Sequence, residues 1–157
     1  MKKALVSVLT AGALALTALS AHAVEQIIDP KGKTVQEMRQ PIPLSLARVH
    51  KVLGQKGVYL LDCNPDEIYQ KSHLPGAIHA NIEDWTKLLP EDKKNSFIIL
   101  YCINRMCNVS FEASLVVIDK GYENVYVMPD GIQGWVSHGY EFEGTGRRDP
   151  GLASRNK

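Results

Sequence analysis

Phe97-Ile98-Ile99-Leu100-Tyr101-Cys102-Ile103-Asn104-Arg105-Met106-Cys107-Asn108 passes from an apolar run into a polar loop that holds two thiols, and the amphipathic stretch Val109 to Lys120 follows it. The run is apolar at every position, which predicts a central strand covered on both faces. In the stretch after the loop, Phe111, Leu115 and Ile118 recur at spacings of four and three, giving a helix with that apolar face. Asn108 or Ser110 is its expected cap, Glu112 lies in its first turn and Gly121 ends it. Cys102 therefore sits at a strand-loop-helix junction. The N–H groups of a tight loop and the positive end of a helix stabilise negative charge, and they lower a thiol pKa from about 8.5 to roughly 3.5–7.5.

Moving outward, the elements alternate. Ser45 can cap a helix through Val52 or Leu53, with Leu46, Val49 and Leu53 on one face and Gly54 at its end. Val58 to Leu61 reads as a short buried strand finishing at Asp62-Cys63; Pro65 to Lys71 suits a helical turn, Ala77 to Ile82 a second strand segment, and Asp84 to Leu89 a short helix stopped by Pro90. Asn124 to Met128 is the next strand and Ile132 to Val136 a final short helix. Such alternation predicts an α/β domain with a mainly parallel sheet, whose ligands bind at the carboxyl ends of the strands. Cys63 and Cys102 both lie at such ends.

The two ends of the chain read differently. Lys2-Lys3, the uncharged apolar and small segment from Ala4 to Leu19, and Ala21-His22-Ala23 form a secretory leader expected to be cleaved after Ala23. The expected compartment is the periplasm, with no membrane association once residues 1–23 are removed. Residues 24–43 are polar and proline-marked, an extended arm; residues 44–143 form the domain; residues 144–157 form a polar tail. Losing Lys2 and Lys3 takes the formal charge from +1 to −1, which leaves no electrostatic footprint for nucleic acid. Three cysteines are too few for a disulfide scaffold in an oxidising compartment, and the odd count points to thiol chemistry. No Cys-x2-Cys or His-x3-His spacing occurs, so neither a metal nor another cofactor is expected.

Three stretches together resemble the single-domain rhodanese family. They are Leu60-Leu61-Asp62 with His73-Leu74-Pro75-Gly76-Ala77; Leu100-Tyr101-Cys102 and its loop; and Gly121 to Tyr126 leading to Asp130-Gly131-Ile132-Gln133-Gly134-Trp135. The resemblance implies a three-layer domain, helices on both faces of the sheet, and sulfurtransferase activity. In it, Cys102 takes sulfane sulfur from thiosulfate or a polysulfide, holds it as a persulfide, and passes it to a thiol or another thiophilic acceptor. The N–H groups of Ile103, Asn104, Arg105, Met106, Cys107 and Asn108 would cradle the anion. Asp62, Cys63 and His73 would support the site. Members of the family commonly have glycine three residues after the cysteine and arginine five after; here Arg105 and Cys107 stand there. Asn64 and Ile68 replace an arginine and a glutamate after Asp62. A lost arginine removes a charge-assisted contact worth about 1.5–3 kcal/mol, unless Arg105 supplies the cation instead. A phosphatase reading fails, because Asn108 occupies the place of the phosphate-binding arginine.

Three roles stand open for Cys107. It resolves a Cys102 persulfide, it pairs with Cys102 in a resting disulfide, or it is a small residue filling the arginine's place. A separation of five residues in a curled loop admits the ~4.4–6.8 Å between Cα atoms that a disulfide requires. Cys63 is expected to pack beneath the loop, and His73 to fix a turn. Two further functional readings accompany sulfur transfer: a thiol-disulfide protein that uses Cys102 and Cys107 with a redox partner protein, and a binding module that has lost turnover.

Overall fold

The computed structural model describes residues 39–146 of the chain. The expected leader, most of the arm and the end of the tail lie outside these residues. The elements, in order, are β1 (Ile42–Pro43), α1 (Leu46–Val52), β2 (Val58–Asp62), α2 (Asp66–Lys71), β3 (Ile78–His79), a 3-10 turn (Trp85–Leu88), β4 (Phe97–Tyr101), α3 (Val109–Asp119), β5 (Asn124–Met128) and α4 (Gly131–Ser137). All five strands are parallel, in the order β1-β5-β4-β2-β3. β4 lies at the centre, as its unbroken apolar sequence requires. Residues Ile98 to Tyr101 are all buried there.

Alternation along the strands sends side chains to two cores. Leu60, Ile99 and Tyr101 join Leu46 and Val49 of α1 and Ile132 and Trp135 of α4 on one face. Leu61, Ile98 and Leu100 join Val117 of α3, with Trp85 packed at the margin, on the other. The domain is thus an α/β fold of three layers with helices on both faces. Ser45 caps α1 as expected, accepting from the Arg48 N–H. The strand expected over Ala77 to Ile82 shrinks to Ile78–His79. The expected arm ends as the edge strand β1, with Ile42 and Pro43 in register with Tyr126 and Val127.

The buried face of α3 is turned away from the expected one, of which Ile118 alone packs against the core cluster. Ser110, Ser114 and Val117 turn inward, while Phe111 keeps 41% of its surface exposed. Small residues let this helix lie close to the sheet, and the Ser114 hydroxyl is satisfied by donating to the Phe111 carbonyl at 2.5 Å. Nor does Asn108 cap the helix through its side chain. This assignment has a direct test in chemical denaturation. Val117→Ala, at a position with no exposure, is expected to cost about 2 kcal/mol. Phe111→Ala, although it removes more atoms, is expected to cost less than about 1 kcal/mol; a reversed order would restore the Phe111 face.

Candidate active site

β2 and β4 are neighbours with Asp62 opposite Tyr101, so the residues following them meet at the carboxyl edge of the sheet. The Cys63 N–H donates to the Tyr101 carbonyl at 2.9 Å. Beyond this point the chain from Cys102 curls back on itself. The Cys107 N–H donates to the Asn104 carbonyl at 3.1 Å, and the Met106 N–H donates to Asn104 Oδ1 at 3.0 Å. Asn104 therefore closes the turn through both its backbone and its side chain. Its Nδ2 in turn donates to Gln133 Oε1 at 2.8 Å.

The curled loop docks on the first turn of α4. The N–H groups of Ile132 and Gln133 donate to the carbonyls of Cys102 and Ile103, each at 3.0 Å. Gly131 makes this approach feasible: its φ is +61°, and a Cβ there would lie 2.5 Å from the Cys102 and Ile103 carbonyl oxygens. Arg105 completes the docking with Nε 2.6 Å from Asp130 Oδ1. That pairing corrects the expectation that Arg105 supplies the cradle's cation, because its guanidinium is engaged on an exposed flank. The cradle itself is also smaller than expected. Met106 and Cys107 have their amides occupied within the loop, whereas those of Ile103, Asn104 and Arg105 donate to nothing among the described residues.

Cys102 and Cys107 are joined in a disulfide, with Cα atoms 6.3 Å apart. Of the open roles for Cys107, the structure thus displays the oxidised pair. Cys102 is 4% exposed, and Cys107 is more accessible. Cys63 is free and buried. It packs with Leu61, Ala80 and Leu100, and burial, reinforced by the Asp62 charge, pushes its thiol up to about 12. Such a sulfur is inert near neutrality.

Asp62 lies fully buried at the end of β2. Its Oδ1 accepts from the Asn64 N–H at 2.8 Å and from Asn64 Nδ2 at 2.7 Å, and the carboxyl also interacts with the Tyr101 hydroxyl, while Asn64 Oδ1 lacks a partner among the described residues. Burial outweighs these bonds and raises the Asp62 pKa. The buried Tyr101 hydroxyl, which accepts the Leu74 N–H at 3.0 Å, is held well above its usual range by desolvation and by the Asp62 charge. His73 fixes a turn, as expected: its ring Nδ1 is 2.7 Å from the Tyr69 carbonyl, and its backbone exchanges 2.9 Å bonds with Glu143. Beside the loop, a groove of about 350 Å³ is lined by Ile68, Lys71, Ser72, Ile103, Gln133 and Ser137, among others. Lys71 is the basic residue among those lining it. Lys71, Asp130, Gly131 and Gln133 had no expected role at the site. Only the stretch from Asp130 to Trp135 stood out in the sequence, as part of the resemblance.

The rhodanese-like domain family matches residues 45–138, and the chain belongs to it. At family level this is a sulfurtransferase. Thiosulfate sulfurtransferase GlpE of Pseudoalteromonas translucida is 25% identical over 92 residues, covering 59% of this chain and 86% of the relative. An HTH-type transcriptional regulator of Mycobacterium tuberculosis is 35% identical over 78 residues; the match covers half of this chain but 34% of that protein. Among solved structures, the BH2092 protein of Bacillus halodurans superposes with a TM-score of 0.58 at 24% identity, covering 83% of this chain and 87% of its own.

The raised Asp62 pKa has a consequence for stability. The folded chain holds this proton more tightly than the unfolded chain does, so the contribution is favourable below the ordinary value of 3.8 and is lost as pH rises through the raised one. Asp62→Asn keeps an Oδ1 acceptor for both Asn64 bonds. Its urea midpoint relative to the wild type is therefore expected to climb between about pH 4 and pH 7. A pH-independent difference would contradict the assignment.

Proposed function

We propose that the chain transfers sulfane sulfur through a persulfide on Cys102, taken from thiosulfate or a polysulfide and delivered to a thiophilic acceptor. The observation that supports this most is the set of free amides at Ile103, Asn104 and Arg105, directly after a cysteine at the carboxyl end of the central strand. In this reading they hold a thiolate and then the anionic persulfide. A donor anion approaching through the neighbouring groove meets Lys71, and Ile68 adds no opposing charge. Two polar neighbours, Ser72 and Gln133, supply further hydrogen-bonding capacity.

The disulfide adds a condition. A sulfur bonded to Cys107 has no lone thiolate to offer, so transfer begins only after reduction. It also supports the second reading, a thiol-disulfide protein that exchanges electrons with a redox partner protein. The periplasm suits both, because an oxidising compartment preserves the bond. Export would be seen as a mature chain that begins at Val24, read by mass spectrometry of the purified native protein.

After reduction, the protein is expected to gain the mass of one sulfur atom from thiosulfate or polysulfide, located on Cys102. The oxidised protein should gain none, and Cys102→Ser should lose at least about a thousandfold in transfer rate, as expected when a covalent nucleophile is removed. Retention of the label by the reduced Cys102→Ser variant would end this reading.

A further inference from the structure

We propose that this protein also reduces sulfane sulfur to sulfide: Cys107 resolves the persulfide carried on Cys102, and a dithiol partner reopens the disulfide that results. This rests on the Cys102 persulfide proposed above. What carries it is a loop whose curl is maintained by bonds other than the disulfide. Asn104 closes the turn at Met106 and Cys107, and Gln133 holds Asn104. Asp130 holds Arg105, and the amides of Ile132 and Gln133 hold the carbonyls of Cys102 and Ile103. Opening the sulfur–sulfur bond leaves those contacts in place. The Cys107 thiol then stays beside Cys102, at a separation already compatible with bonding. An internal thiol so placed reacts ahead of one that must arrive by diffusion. Cys63 cannot substitute for it, because that thiol is buried and raised to about 12.

The cycle balances. A dithiol thiolate attacks Cys107 Sγ, in the more exposed of the two residues, and Cys102 departs as a thiolate that the free amides of Ile103, Asn104 and Arg105 stabilise. The second partner thiol attacks the mixed disulfide, so Cys107 leaves as a thiol and the partner leaves oxidised by two electrons. The Cys102 thiolate next attacks the sulfane atom of thiosulfate, forming the persulfide and expelling sulfite. Cys107, deprotonated, attacks Cys102 Sγ; the outer sulfur leaves as hydrosulfide and takes its proton from water, and the Cys102–Cys107 bond is restored. Overall, one dithiol and one sulfane sulfur become one disulfide and one sulfide. The direction of attack matters, because opening at Cys107 frees the thiolate at Cys102, where the next sulfur is to be taken up.

A single-turnover experiment tests the proposal. The full chain is reduced, freed of reductant, and given thiosulfate without any thiol acceptor. Thiosulfate itself releases sulfite, so sulfide reports only the resolving step. The wild type is expected to release about one sulfide per chain and to end with a two-hydrogen mass deficit linking Cys102 and Cys107. Cys107→Ser should retain the extra sulfur on Cys102 and release sulfide at least about tenfold more slowly. Cys107→Ala, with the circular dichroism of the wild type, serves if the serine variant misfolds. A wild-type persulfide as long-lived as the variant's, with no disulfide formed, overturns the resolving role and leaves the transfer function standing. Failure of both reduced proteins to take up sulfur removes both.

Discussion

Two backbone hydrogen bonds, from the Ile132 and Gln133 amides to the Cys102 and Ile103 carbonyls, decide what the loop after β4 can do. They turn those carbonyls toward α4 and thereby leave the amides that follow without an internal partner. The contact requires a residue without a Cβ at Gly131, where any side chain would collide with the same carbonyls. The sheet fixes the other half of the arrangement. β5 is paired in register with β4 along its whole length, so the turn from β5 into α4 arrives beside the loop that leaves β4.

Three cysteines in one small domain illustrate how position sets reactivity. Cys63 follows β2 into an apolar layer beneath Leu61 and Leu100, where burial suppresses ionisation. Cys102 follows the adjacent strand into a loop whose next three amides have no partner among the described residues. Cys107 stands where relatives of this type commonly place an arginine, trading a permanent positive charge for a second sulfur. In the proposed cycle that second sulfur handles electrons, and Lys71 is the basic residue among those lining the neighbouring groove.

Much of this was legible in the sequence where the signal is local. The unbroken apolar run of β4, the cap at Ser45 and the alternation of strands and helices each follow from residues close together in the chain. α3 was misread for a physical reason: Ser110 and Ser114 form the close-packed face, and apolar periodicity does not register a buried serine. Arg105 stayed open in the sequence, turned toward the cradle or away from it, for another reason. Its partner Asp130 lies 25 residues away, and a side chain's direction is set by such distant charges and not by its neighbours in sequence. The strand-loop-helix junction singled out Cys102, but nothing in the sequence pointed to the side-chain contact between Asn104 and Gln133 that shapes the loop around it.

The proposed transfer depends on free amides that hold Cys102 ionised once the disulfide is opened. Alkylation of the reduced protein across a pH series, mapped to each cysteine by mass spectrometry, measures this directly, with buried Cys63 as an internal control. Cys102 is expected to react with an apparent pKa at least about one unit below the ~8.5 of a free thiol. A Cys102 that titrates like an unstructured peptide thiol, or that resists the reagent as Cys63 does, would contradict it.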